Sequence, residues 1–315
     1  MKPNPGKAAI IGCGFVGAAT AYTLMLGKLF SEIVLVDVNY DKAVGEAEDI
    51  SDGIPFTEQM KIFAGDYGDL ADACVAIITA GANQNPGESR LNLVNKNVSI
   101  LKSIIPAISK AGFEGILLIV ANPVDILTYA ASKICELPER RVIGSGTVLD
   151  TARLKHDLGL HLGVDSRSVH AFVIGEHGDS EIVAWNCANV SGIPIRDFCE
   201  MRGYRDHDEE LRKIARQVKN SAYDIIAKKG ATYYGIAMSV KRICECIVHD
   251  EKSILPISTM MHGEYGIRGI ALSTPAILGS SGVETHVPIC LDEAELEKLR
   301  SSASMLRDIA GKFDL

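Results

Sequence analysis

The chain has 315 residues, 47% hydrophobic and 23% charged, a balance that suits a soluble globule of about two domains at roughly 150 residues each and excludes disorder. Forty acidic against 32 basic residues give a formal charge of −8, which argues against a nucleic-acid partner or a polybasic membrane anchor. The eight cysteines form no CxxC pair and read as reduced, buried thiols of a cytoplasmic protein, Cys74 and Cys290 lying in apolar stretches. Cys244 and Cys246 have no neighbouring His or Cys cluster, so no metal site is expected.

In chain order, 7–12 (KAAIIG) predicts a strand and 16–28 a helix. The uncharged run 8–27 has the look of a signal peptide or short membrane span. Gly12, Gly14 and Gly17 would break an apolar helix there and suit a strand–turn–helix unit instead. Then come a strand at 33–38, a helix at 41–50, a buried strand at 75–81 and a helix at 89–111 with Pro106 as a kink or boundary. A strand at 115–122, a helix at 124–135 and a strand at 141–146 complete the first half. Continuous apolar strands separated by helices predict a parallel sheet covered on both faces.

The second half loses that rhythm. It opens with a helix at 148–159, ending at Gly159, followed by strand signals at 168–175 and strand and hairpin signals at 266–289. Two long amphipathic helices are predicted at 209–229 and 292–313. The expected architecture is a Rossmann doubly wound parallel sheet (1–145) followed by a mixed α+β catalytic domain (146–315).

Gly12-Cys13-Gly14-Phe15-Val16-Gly17 is GxGxxG between a strand and a helix. The first glycine permits the tight turn, the second lets backbone approach a pyrophosphate, and the third brings helix onto strand. Free N–H groups at the helix start then face phosphate. Asp37 follows Gly17 by 20 residues, at the end of the second strand. A carboxylate there accepts from both adenosine ribose hydroxyls and repels a 2′-phosphate, which points to NAD rather than NADP.

Residues 81–90 (GANQNPGESR) follow a strand where open α/β sheets bind ligands. The segment reads either as a plain Pro-Gly connection or as a closing lid that carries Arg90. Asp150 and Arg153 share a helix face at spacing three, as any surface ion pair could. His177, in GEHGD (175–179), sits just past a strand, where a lone His is ordinarily polar surface.

Six segments in order, IIGCGFVG (10–17), GANQNPGESR (81–90), ANPVDILTY (121–129), GSGTVLDTARLK (144–155), IGEHGDSE (174–181) and KKGATYYGIA (228–237), give a chain that resembles the L-lactate/malate dehydrogenase superfamily over essentially its whole length. The resemblance implies that His177 transfers a proton with Asp150 as its carboxylate partner, that Arg153 forks the substrate carboxylate and that Arg90 polarises the carbonyl. It further implies that Asn122 borders the reacting oxygen and the cofactor, that Thr232 lines the pocket, and that Gly12, Gly14, Val16, Gly17, Asp37, Gly81 and Ala82 hold NAD. Asn122-Pro123 would be a candidate cis bond.

The chemistry agrees with those residue types. A hydride requires a nicotinamide, because no side chain accepts one. The accompanying proton requires a base that titrates near neutrality, as imidazole does. A planar guanidinium gives a carboxylate two parallel bonds. Gln84 is neutral where malate enzymes of the resembling family usually carry Arg, so closing on oxaloacetate would bury an unpaired charge. That favours pyruvate and L-lactate as substrates, with malate or a larger 2-hydroxy acid as alternatives. A non-catalytic NAD sensor is the rival from another class. The resemblance also implies a homotetramer activated by fructose 1,6-bisphosphate, with Lys155 and His170 at the anion site. Lys155 stands where many such enzymes have Arg, which keeps the charge and loses the fork.

Overall fold

The computed structural model describes residues 3–82 and 90–313, Arg90 without its side chain. In the first half the strands are β1 (Asn4–Ile11), β2 (Glu32–Val36), β3 (Lys61–Ala64), β4 (Ala73–Ile78), β5 (Ile116–Ile119) and β6 (Val142–Gly144). The helices between them are α1 (Phe15–Gly27), α2 (Tyr40–Ser51), α3 (Arg90–Lys110) and α4 (Val124–Ile134). The six strands pair in parallel in the order β3-β2-β1-β4-β5-β6. The chain therefore reverses direction across the sheet between β1 and β4, where such sheets bind ligands.

Both faces of the sheet are buried, as the unbroken apolar strands require. Ala9 and Ile11 of β1 enter one core with Ala76 and Ile78 of β4, while Ala8 and Ile10 enter the other with Val75 and Ile77. The uncharged N-terminal run is thus the interior strand β1 and the helix α1, which buries one face and exposes Phe15, Tyr22 and Leu26 on the other, and no helix among the described residues is long and apolar enough to cross a membrane.

The second half comprises α5 (Val148–Leu162), β7 (Val169–His170), β8 (Val173–Ile174), β9 (Ile182–Val183), β10 (Asn189–Val190), β11 (Ile193–Pro194), α6 (Ile195–Met201), α7 (His207–Lys229), α8 (Tyr234–Val248), β12 (Ser253–His262), β13 (Arg268–Gly279), β14 (Gly282–His286) and α9 (Glu293–Ala310). The short strands form a β11-β10-β7 sheet and a β8-β9 pair. The antiparallel β12–β14 unit extends the first sheet, with Ser258 of β12 opposite Gly144 of β6. Helix α8 likewise serves the first half, since Val240, Ile243, Cys244 and Ile247 pack with Ala21, Leu24 and Met25 of α1 in one core.

Several local expectations are corrected. Helix α5 runs past Gly159 and stops at Gly163, whose φ of +64° takes the left-handed cap. Gly159 is there for close approach: a Cβ would come 3.0 Å from the Ser166 Cα and the Val164 carbonyl oxygen. Pro106 lies inside α3 rather than at its boundary. The stretch 168–175 is broken into β7 and β8. Cys290 is exposed, and Cys135 and Cys187 are half-buried; all eight thiols are free. Strands β3 and β12 and helix α8 have no counterpart in the sequence reading.

Candidate active site

The carboxyl ends of five adjacent strands converge. Gly12 follows β1, Asp37 follows β2, Gly81 and Ala82 follow β4, Asn122 follows β5, and the turn after β6 leads into α5 with Asp150 and Arg153. Gly12 has a φ of +104°, and a Cβ there would meet the Ala80 backbone nitrogen at 2.5 Å. At Gly17 a Cβ would lie 1.9 Å from the Gly12 carbonyl oxygen, so only glycine lets α1 sit on the turn. Gly14 precedes α1, and a Cβ there would meet nothing within 4 Å. Val16 is half-buried in the first turn. Open space over a helix N-terminus with no capping side chain fits a dinucleotide pyrophosphate.

Asp37 already has two local duties. One oxygen accepts from the Cys13 N–H at 2.6 Å and the other from the Asn39 N–H at 2.9 Å. A carboxylate offers about four acceptor positions, so two remain for ribose hydroxyls. Its hold on Cys13 also fixes the glycine turn. Asn97, which the sequence reading missed, does the same for the neighbouring loops. Its buried amide accepts from the Ala82 N–H at 2.7 Å and donates to the Asn122 carbonyl at 2.7 Å. The Asn122-Pro123 bond is cis, and the Asn122 side chain is exposed.

His177 and Asp150, 27 residues apart, meet. The ring Nδ1 donates to Asp150 Oδ2 at 2.6 Å, and Arg153 Nη1 donates to Asp150 Oδ1 at 2.9 Å. Asp150 is 2% exposed and His177 22%, a buried acid behind a partly exposed ring. Burial opposes charge on His177, yet Asp150, and behind it Asp125 and Glu181, raise the imidazole to about 9. Burial also opposes ionisation of Asp150, but His177 and Arg153 hold it below the usual carboxylate range. Imidazolium, carboxylate and guanidinium therefore stabilise one another, and Arg153 keeps donors free for an anion.

The loop that carries His177 is fastened from behind. Asp125, in the first turn of α4, accepts from the His177 N–H at 2.7 Å, the Ser258 hydroxyl at 2.6 Å and the Ser273 hydroxyl at 3.0 Å. Burial pushes it up to about 6, against those hydrogen bonds. Glu176 accepts from Ser180 at 2.5 Å, and its N–H donates to Ser302 of α9 at 3.0 Å. The sequence carried one usable signal for Asp125, an acid at the start of an otherwise apolar helix, and none for its serine partners. Glu181 is a further addition. One atom each of His177, Asp150 and Glu181 lie within 4.8 Å of one another, which puts a second carboxylate beside the imidazole.

Thr232 is half-buried in the link between α7 and α8. Beside it, Tyr233 stacks on Phe15 of the glycine turn with ring centres 5.5 Å apart, which ties this segment to the phosphate turn. Lys155 is half-buried on α5 and His170 exposed on β7; burial lowers the Lys155 amine. Gln84 and the Arg90 side chain lie outside the described residues.

A glycine turn at a helix start and a strand-end acid, on the same carboxyl edge of the sheet as an imidazole–carboxylate pair and a guanidinium, fit a dinucleotide-dependent oxidoreductase. Residues 6–144 match the model of the lactate/malate dehydrogenase NAD binding domain, and 147–313 match that of the lactate/malate dehydrogenase alpha/beta C-terminal domain. The chain belongs to the lactate/malate dehydrogenase family. It is 49% identical to an L-lactate dehydrogenase of Thermoanaerobacterium saccharolyticum, over 98% of this chain and 99% of that one. It is 48% identical to one of Acetivibrio thermocellus, over 98% of each. Among solved structures, the minor L-lactate dehydrogenase of Enterococcus mundtii in a ligand-bound form superposes with a TM-score of 0.95 at 41% identity, covering 98% of both chains. A lactate dehydrogenase from a Medee basin deep-sea metagenome gives 0.94 at 43%, covering 99% of both.

Proposed function

We propose that this protein is an NAD-dependent L-lactate dehydrogenase of the cytoplasm, reversibly converting pyruvate and L-lactate. The observation that carries the reading is the His177–Asp150–Arg153 chain of hydrogen bonds at the carboxyl ends of the NAD-binding sheet. Bound NADH supplies the hydride. Arg153 grips the substrate carboxylate through its planar fork while Asp150 holds the guanidinium in place. Protonated His177 donates from its Nε2 to the carbonyl oxygen, and Asp150 stabilises the charged ring before transfer and fixes its tautomer afterwards. Arg90 stabilises the developing alkoxide, Asn122 borders the same oxygen, and Thr232 lines the pocket. Gly12, Gly14, Val16, Gly17, Asp37, Gly81 and Ala82 form the NAD site.

Neutral Gln84 favours pyruvate over oxaloacetate. A panel of 2-oxo acids with NADH tests this, with pyruvate expected to show the highest kcat/KM; equal values for oxaloacetate would refute it. The same panel run with fructose 1,6-bisphosphate tests activation of a homotetramer. Lys155 supports an anion site, because among the described residues it is a half-buried amine with no hydrogen-bond or ion-pair partner. An unchanged KM for pyruvate would reject that role for Lys155 and His170.

A further inference from the structure

Glu181 lies between His177 and β9, and its side chain is half-buried. A carboxylate oxygen lies within 4.8 Å of the His177 ring and of the Asp150 carboxylate. Among the described residues it accepts no hydrogen bond and makes no ion pair within 4 Å. That sets it apart from the other acids here: Asp125 has three donors, Asp150 two and Glu176 the Ser180 hydroxyl. Packing gives an unbonded carboxylate in such a place no structural duty.

The groups facing it are Asp150 and Arg153 from α5, His177 from its own loop and Lys219 from α7. Asp125 of α4 stands behind His177. With both Asp150 and Glu181 ionised, a substrate carboxylate at Arg153 would make three anions around two half-buried cations, His177 and Arg153, since Lys219 is exposed and donates to the Asp179 carbonyl. With Glu181 neutral, two anions face two cations. Like charges crowded in a half-buried space do not all stay ionised.

We propose that Glu181 is a proton-holding positioning residue of the pyruvate site, neutral while the 2-oxo acid is bound, so that substrate capture takes up a proton separate from the one on His177. This rests on the dehydrogenase reading above. The proton comes from solvent as the anion enters and returns to solvent as lactate leaves. Net turnover therefore consumes only the His177 proton. Burial and then the charge of Asp150 push Glu181 up to about 8, against the pull of His177, Arg153 and Lys219, so the exchange falls in an accessible range.

Two measurements test it. Calorimetry of oxamate binding to the NADH complex at pH 8.5, in buffers of different ionisation heat, counts protons in the unaltered chain. With Glu181 at about 8 and His177 at about 9, uptake of about one proton per site is expected; about a quarter of a proton, the share of His177 alone, would overturn the proposal. The second is the pH dependence of kcat/KM for pyruvate. From pH 7 to pH 9 a fall of about 20-fold is expected in the parent and about twofold in Glu181→Gln, with Glu181→Asp keeping the steep fall. Parallel falls in parent and Glu181→Gln would overturn it. A parent chain that fails to oxidise NADH with pyruvate at any pH is the separate signature of a failed dehydrogenase reading, and removes this proposal with it.

Discussion

Replacing Asp150 by Asn keeps the shape of the site and removes one charge. Asn keeps one acceptor oxygen and turns a donor NH2 towards the other of the two partners, His177 Nδ1 or Arg153, so the charge and one of the two hydrogen bonds are lost together. The imidazole stands at about 9 in the folded chain, against an ordinary 6.5, with the charge and hydrogen bond of Asp150 leading the groups that raise it over its burial. The difference is worth roughly 3 kcal/mol of preference for the imidazolium. Without Asp150 the ring falls back toward 6.5, because only the charges of Asp125 and Glu181 then oppose its burial. At pH 7.5 the protonated fraction then falls from nearly all to about a tenth. Pyruvate reduction, which needs the imidazolium, should lose about tenfold in kcat/KM at pH 7.5 and recover most of it at pH 5.5. Lactate oxidation, which needs the neutral ring, should move its acidic limb down by about the same interval. NADH absorbance at saturating cofactor from pH 5 to 10 reads both. If the alkaline limb of pyruvate reduction in Asp150→Asn coincided with that of the parent, Asp150 would not be what holds the proton on His177.

Arg153→Lys loses one of two charge-assisted bonds, worth about 1.5–3 kcal/mol, so kcat/KM for pyruvate should fall about 10- to 100-fold while NADH affinity, titrated by fluorescence, stays the same. Gly17→Ala puts a methyl 1.9 Å from the Gly12 carbonyl oxygen; overpacking of this kind costs about 1–3 kcal/mol, and NADH binding should weaken together with the urea midpoint, whereas parental values for both would show that the turn can yield. Asp125→Ala strips the acceptor from three buried donors and should destabilise by about 3 kcal/mol or more in urea unfolding. Asp125→Asn reads the pH term: the folded value of about 6 lies above the ordinary 3.8, so the stability it brings is full below pH 4 and lost as pH rises through 6. The parent should lose roughly 3 kcal/mol over that interval from this group, the variant none of it, and identical slopes in the two chains would refute the assignment.

Sequence alone determined what is local. The glycine turn is legible because backbone conformation and close approach at Gly12 and Gly17 admit no other residue, and Asp37 because a strand and a helix of ordinary length set its distance from the turn. Asp150 and Arg153 are legible as a pair because the helix repeat puts them on one face. The parallel sheet follows from apolar strands with no polar face, each separated by a helix. Tertiary structure decided the rest. The meeting of His177 with Asp150, of Asp125 with Ser258 and Ser273, and of Asn97 with Ala82 and Asn122 depends on strand ends brought side by side, and no spacing in the chain encodes it. Helix α8 and strand β12 escaped notice because they bury themselves against the first half, where their apolar residues answer to α1 and β6 rather than to their own neighbours. Gly159 read as a helix stop because a glycine chosen for close packing and one chosen for a left-handed cap look alike until the packing is seen. Glu181 was one acid among many in the second half; only the fold set it, unbonded, beside the imidazole.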